Sequence, residues 1–178
     1  MSTMTHWPTR FAEMLAFVDL SEAERQLIKS SAPIVMKHAR TLTDAVYDRF
    51  LQYPSARRFF VTDQDEPDAK RLESNKQTML SWLRATAEAP LNEGFARYLA
   101  ATSQMHANIP LHRPGLEPVP PRYLIGAIAY YQTTIADLLH QEMADRELVL
   151  RTSVAWNKWL MVGLELLLAN YLLHNQGT

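Results

Sequence analysis

The stretch FARYLAATSQMHANIPLHRPGLEPVPPR, Phe95 to Arg122, decides how the rest of the chain is read. It begins with Phe95, Leu99, Thr102 and His106 at i, i+4, i+7 and i+11, the spacing that puts four side chains on one face of a helix. It continues through Pro110, Pro114, Pro118, Pro120 and Pro121, which break the chain before the next helix. The helical face is apolar except for Thr102 and the imidazole. Burying a histidine's ring nitrogens without partners costs about 1–3 kcal/mol, so His106 points to a site holding either a hydrogen-bonding neighbour or a bound metal.

Outward from this stretch the chain reads as helices throughout. Trp7 to Val18 predicts a first short helix, and Ser21 with Glu24 three residues on gives a capping-box start for a second. Pro33 is expected to restart the chain as a long helix to about Gln52. In that helix Ile34, His38, Leu42, Ala45 and Arg49 share a face, with Val46 and Phe50 beside it, and Pro54 ends it. A turn of helix through Arg57 and Arg58 leads to Phe59 and Phe60, then to a polar loop, Thr62 to Asp68, expected to be exposed and mobile. The next helix runs from about Pro67 to Ala87, with Leu72, Asn75, Met79, Trp82 and Leu83 near one face. Beyond the prolines, Tyr123 to about Met143 and Arg146 to about Leu173 form the last two. Glycine is scarce and β-branched alternation is missing, so the fold class is all-α, with one domain expected over residues 1–178.

Charge and composition narrow the function. Lys and Arg number 18 against 19 Asp and Glu, a formal net charge of −1, so nothing marks a nucleic-acid or anionic-membrane surface. The chain has no cysteine, which removes disulfides, zinc-thiolate sites, iron–sulfur clusters and thioether-linked haem. The N-terminus lacks the pattern of a signal peptide, and Trp159 to Ala169 falls short of the roughly 20 residues a membrane span needs. A cytoplasmic location follows as the expectation.

Motif searches remove further chemistries. A di-iron bundle needs paired Glu-x-x-His motifs, and the nearest approach, Asp137 with His140, reads as an exposed pair on a helix edge. The glycine signatures of P-loops, dinucleotide folds and hydrolase nucleophile elbows do not occur.

The order of the remaining features resembles the protoglobins and the globin domains of globin-coupled sensors. An extra N-terminal helix precedes Ala45-Val46-Tyr47-Asp48-Arg49-Phe50-Leu51, Pro54 and Phe59-Phe60. Then come the helix carrying Trp82, the segment Met105-His106-Ala107-Asn108-Ile109 and Tyr123-Leu124-Ile125-Gly126-Ala127. The resemblance covers nearly the whole chain, and its specificity lies in order and spacing. It implies a globin fold, a helix-over-helix sandwich, with a haem pocket between the helices of Tyr47, Met79 and His106.

It also implies roles for residues. His106 matches the proximal ligand of haem b iron, with its second nitrogen oriented by a nearby acceptor. Tyr47 matches the tyrosine over the opposite haem face that donates a hydrogen bond to bound oxygen, with a packing tyrosine as the plainer alternative. Asn75 and Met79 match positions that look onto the same face, with Thr78 a competing donor. Phe60 matches the aromatic against the porphyrin edge, Phe59 is its alternative in a shifted register, and Tyr123 belongs to the cofactor-binding set. His38 reads as a structural histidine. His112 and Arg113 are placed to meet a haem propionate or, more simply, to line a solvated loop.

The implied function is reversible binding of O₂, CO or NO as a gas sensor domain. The alternatives are a stand-alone oxygen carrier, a haem enzyme of NO dioxygenase or peroxidase type, and a haem-free helical interaction module. In globin-coupled sensors the last two helices pair about a twofold axis, so Tyr130, Tyr131, Trp156, Trp159, Leu160, Leu164 and Leu167 are expected to supply a homodimer surface. The chain reads either as a stand-alone globin or as the sensor module of a longer protein with an output domain.

Overall fold

The computed structural model describes residues 6–108 and 115–174, with side chains to residue 171. Eight helices follow one another: α1 (Trp7–Phe17), α2 (Glu22–Lys37), α3 (Ala39–Gln52), α4 (Pro54–Arg57), α5 (Ala69–Ala87), α6 (Glu93–Ala107), α7 (Pro121–Glu142) and α8 (Arg146–His174). The described residues contain no strand beyond an isolated bridge between Val61 and Pro67.

Helix starts follow local chemistry. Ser21 and Glu24 form the reciprocal capping box at the start of α2, with Ser21 N 2.8 Å from Glu24 Oε2 and Glu24 N 3.2 Å from Ser21 Oγ. Asp68 caps α5 through the amide of Arg71, Asn92 caps α6 through the amide of Phe95, and Asp145 accepts from the first amides of α8. Pro121 occupies the first turn of α7, where its missing N–H costs nothing.

One boundary differs from the sequence reading. Pro33 lies inside α2, and the break falls at His38, whose backbone (φ −104°, ψ 3°) ends α2 and begins α3. Pro33 is exposed, while Ile28, Ser31 and Val35 are buried on the other side of the helix. Packing against α8, reinforced by a 2.9 Å hydrogen bond from Trp156 Nε1 to Ser31 Oγ, carries the helix past its lost amide donor. The stripe through Ile34, His38 and Arg49 therefore does not continue across the break. The buried face of α3 is Ala39, Leu42, Thr43, Val46 and Tyr47, while His38 sits half-exposed with Nε2 2.6 Å from Glu142 Oε1.

The centre of the molecule is α8, which packs on α1, α2, α6 and α7. Trp159 donates to the Thr86 carbonyl at 2.8 Å, stacks on Phe95 and meets Phe11 edge-on, so the extra N-terminal helix is bound into the core. Tyr131, Trp156, Trp159, Leu160, Leu164 and Leu167 are all buried within the chain's own fold. The apolar bulk assigned from sequence to a partner surface is thus consumed internally, and only Tyr130 of that set remains half-exposed.

The Thr62–Asp68 loop is exposed over residues 63–67 and closed by backbone bonds, Thr62 N to Glu66 O at 2.8 Å and Asp68 N to Phe60 O at 2.9 Å. Arg57 Nη2 donates to the Asp65 carbonyl at 2.6 Å, holding the turn against α4. Asp137 and His140 are exposed, as read from sequence. His112 and Arg113 lie outside the described residues.

Candidate functional site

A cavity of about 460 Å³ opens between α3, α5, α6 and α7, within the range of small-molecule and cofactor pockets. α3 packs on α2, α4, α5 and α7, whereas α6 packs on α1 and α8, and the cavity occupies the space between these two groups. Its walls are mainly aromatic and aliphatic. The seven residues singled out from sequence, Tyr47, Phe59, Phe60, Asn75, Met79, His106 and Tyr123, all line it.

His106 sits on the last turn of α6. Its Nδ1 lies 2.8 Å from the carbonyl oxygen of Thr102, one turn back. A carbonyl only accepts, so Nδ1 carries the proton and Nε2 keeps its lone pair. Burial lowers the imidazole below the ordinary histidine value, partly offset by the bond to Thr102, and this favours the neutral ring. Nε2 has no hydrogen-bond partner among the described residues. The chain beyond α6 turns back on this residue, because Val119 N donates to the His106 carbonyl at 3.1 Å and Tyr171 holds the Val119 carbonyl at 2.6 Å.

Tyr47, buried at 5% exposure, belongs to an aromatic cluster on another wall. Its ring meets Phe50 and Phe60 edge-on at 5.7 and 5.4 Å, and those two stack on each other at 5.6 Å. Its hydroxyl has no hydrogen-bond partner among the described residues. Burial and the neighbouring Tyr131 phenol raise its pKa, so it remains a neutral donor. Phe60 thus braces Tyr47, while Phe59 is buried beneath the Arg58 guanidinium, 5.0 Å from the ring centre.

Three other hydroxyls on the wall, those of Thr78, Thr102 and Tyr123, are committed elsewhere. Thr78 Oγ1 donates to the Ser74 carbonyl at 3.1 Å and Thr102 Oγ1 to the Tyr98 carbonyl at 3.0 Å, back-bonds within their own helices. Tyr123 is hydrogen-bonded to Ser55 through its phenol oxygen and turns its ring to Phe50. Asn75 and Met79 are half-buried one turn apart on α5, and the Asn75 amide has no hydrogen-bond partner among the described residues.

Among the cavity residues not read as site residues from sequence are Tyr131, Trp82 and Arg71. Tyr131 is fully buried, sits 5.4 Å from Trp82 ring to ring, and places its hydroxyl 3.3 Å from Thr43 Oγ1. Burial is the main cause that pushes its phenol up to about 12. The signal was the four-residue spacing of Tyr123, Ala127 and Tyr131 on one face of α7. Trp82 and Arg71 extend the Asn75–Met79 stripe in both directions, and each leaves a buried nitrogen, Nε1 and Nη1 respectively, without a hydrogen bond among the described residues.

Among the described residues no group of three or more His, Asp or Glu converges to hold a metal. A metal at His106 must therefore arrive with most of its ligands already in place. An apolar cavity, one neutral imidazole nitrogen free at its wall and unpaired donors on the other walls fit an iron porphyrin.

The family model for protoglobin matches residues 8–176. Comparison with curated proteins gave no match. Among solved structures, the globin domain of the Geobacter sulfurreducens globin-coupled sensor superposes with a TM-score of 0.73 at 20% identity, covering 90% of this chain and 96% of that one. The ferric globin domain of E. coli DosC gives 0.68 at 14% identity, with 90% and 99% covered, and its ferrous form gives 0.66 at 15%, with 89% and 97% covered. At these identities the likeness establishes the globin fold.

Proposed function

The chain belongs to the protoglobin family, which implies a haem cofactor and the binding of diatomic gases, and from that premise we propose that it is a haem b gas-sensor domain for O₂, CO or NO. The observation that carries this reading is His106, with Nδ1–H committed to the Thr102 carbonyl and Nε2 unpaired at the wall of an apolar cavity. In this reading His106 would hold the iron and Tyr47 would address the bound gas. The absence of cysteine leaves no thioether attachment, which agrees with the b type that the resemblance implies. Haem, when bound, supplies the iron site at which a diatomic gas is held.

The chain's own groups then determine retention. The Thr102 carbonyl fixes the tautomer and aim of the His106 ring and raises its basicity. Tyr47, a neutral phenol clamped by Phe50 and Phe60, donates its proton in a hydrogen bond to a gas that carries partial negative charge, favouring O₂ over CO. Asn75 offers a second donor from α5. Phe59, Phe60, Met79 and Tyr123 pack the macrocycle, and the apolar walls exclude water. Residues 1–178 act as one globin unit, placed in the cytoplasm and working as a homodimer that passes its gas-bound state to an output domain.

Visible absorption of the purified protein in oxidised, reduced and CO-exposed forms tests the reading. A Soret band that shifts with CO is the expected result; no band after addition of haemin overturns it. Repeated consumption of NO by the oxygenated protein, rather than a single stoichiometric event, would move the function to a dioxygenase.

A further inference from the structure

The wall of the cavity is apolar and aromatic, yet Arg71 contributes a permanent charge to it. Arg71 lies in the first turn of α5, where the helix macrodipole adds positive potential. Its Nη2 sits 3.3 Å from Asp68 Oδ2, while the other carboxylate oxygen of Asp68 is engaged at 3.0 Å by the backbone amide of Arg71. Nη1 is buried and has no hydrogen-bond partner among the described residues. The side chain as a whole is 24% exposed, so it stands at the rim of the cavity, where one flank meets solvent.

A desolvated guanidinium nitrogen without an acceptor is costly, and its planar fork matches a carboxylate. The neighbouring cations do not line the cavity: Lys76 pairs with Asp44 at 2.8 Å, Arg57 with the Asp65 carbonyl at 2.6 Å, and Arg58, whose Nε is also buried without a hydrogen bond among the described residues, with Glu117 at 2.9 Å. Arg71 is also held in place, because Asp68 caps α5 and its own amide is bonded to the Phe60 carbonyl at 2.9 Å. Resting on the haem reading above, we infer that Arg71 is the anchor for a propionate carboxylate of the bound porphyrin. The sequence reading offered His112 and Arg113 for such a contact, with a solvated loop as the simpler alternative, and both lie outside the described residues. Arg71 supplies it from a helix terminus on the opposite side of the sequence from the proximal histidine.

Haem loss from the holoprotein to excess apomyoglobin, followed by absorption, tests this with ordinary haem and with haem dimethyl ester. Arg71→Leu should lose ordinary haem roughly tenfold faster than the parent, with Arg71→Lys between them. With the ester, which lacks the carboxylate charges, parent and Arg71→Leu should lose cofactor at the same rate. Equal loss of ordinary haem from both proteins overturns the inference. Faster loss of both cofactors from a variant of unchanged helicity assigns Arg71 to packing and also overturns it. An unchanged rate combined with weaker azide binding to the ferric protein would place Arg71 on the gas side and overturn it as well. If the parent protein takes up neither haem nor ester, the haem reading fails first and this inference falls with it.

Discussion

His106 Nδ1–H donates to the carbonyl of Thr102 at 2.8 Å, one turn back on α6, so the ring is oriented by its own helix and needs no carboxylate to fix its tautomer. The arrangement leaves Nε2 as the coordinating atom in the haem reading. His106→Ala should abolish stable haem uptake, with added imidazole restoring the Soret band by entering the vacated space. A variant with full haem occupancy and an unchanged spectrum would reject the assignment. Because the acceptor is backbone, substituting Thr102 with Val should leave the His106 ligation spectrum intact, which separates this geometry from one that depends on the Thr102 hydroxyl.

Tyr47 is the donor most free to act on a gas, since Thr78, Thr102 and Tyr123 already spend their hydroxyls elsewhere. Tyr47→Phe removes one hydrogen bond and keeps the ring that Phe50 and Phe60 pack against. A bond of about 1–1.5 kcal/mol corresponds to roughly a tenfold faster O₂ dissociation, with CO dissociation nearly unchanged. Stopped-flow measurement of both rates checks this; equal O₂ rates in the two proteins would transfer the role to Asn75.

Arg40 joins α3 to α5 through Glu73, with paired contacts at 2.8 and 2.9 Å, and Asp44 joins the same helices through Lys76 at 2.8 Å. The hydrogen bond from Arg40 is the main cause that holds the Glu73 carboxyl down to about 2. A carboxyl depressed in the folded state adds stability above its unfolded value, near 4.3, and that stability is lost as pH falls toward the folded value. Urea midpoints should therefore drop between about pH 4.3 and about pH 2, and Glu73→Gln should flatten that part of the profile. The pair is exposed, so the effect should be small and should shrink in high salt.

The helix order was legible because caps, prolines and the 3.6-residue period are local signals, and the Ser21–Glu24 box and Pro120 and Pro121 at the start of α7 work as read. The α2–α3 boundary was not, because Pro33 marks a local cost while the packing of Ile28, Ser31 and Val35 that overrides it is tertiary. His106 and Tyr47 were singled out through the order of motifs, and the fold brings both to the wall of one cavity. Tyr131 was misplaced for a different reason: periodicity shows that Tyr123, Ala127 and Tyr131 share a face, but not whether that face meets a cavity, a core or a partner. Arg71 escaped notice because a charged residue on an otherwise apolar stripe reads as a solvated edge, and only the fold shows one of its nitrogens buried.

With Tyr131, Trp156, Trp159, Leu160, Leu164 and Leu167 buried in the chain's own core, a twofold interface on the last two helices must use what they leave exposed. Leu150 (65%), Val154 (43%) and Met161 (41%) lie along one side of α8, and Ile125 (46%) is exposed on α7. The short turn between Glu142 and Arg146 returns α8 along α7, and the hydrogen bond between Gln132 and Asn157 marks the register that carries Ile125 toward the Met161 end. In the proposed homodimer these exposed apolar side chains are the ones left to meet a second copy. Leu150→Glu with Val154→Glu should convert a dimer to a monomer in analytical ultracentrifugation while leaving the haem spectrum unchanged, because neither residue lines the cavity. A parent protein that sediments as a monomer at tens of micromolar, or a double variant that remains dimeric, would move the interface away from this face.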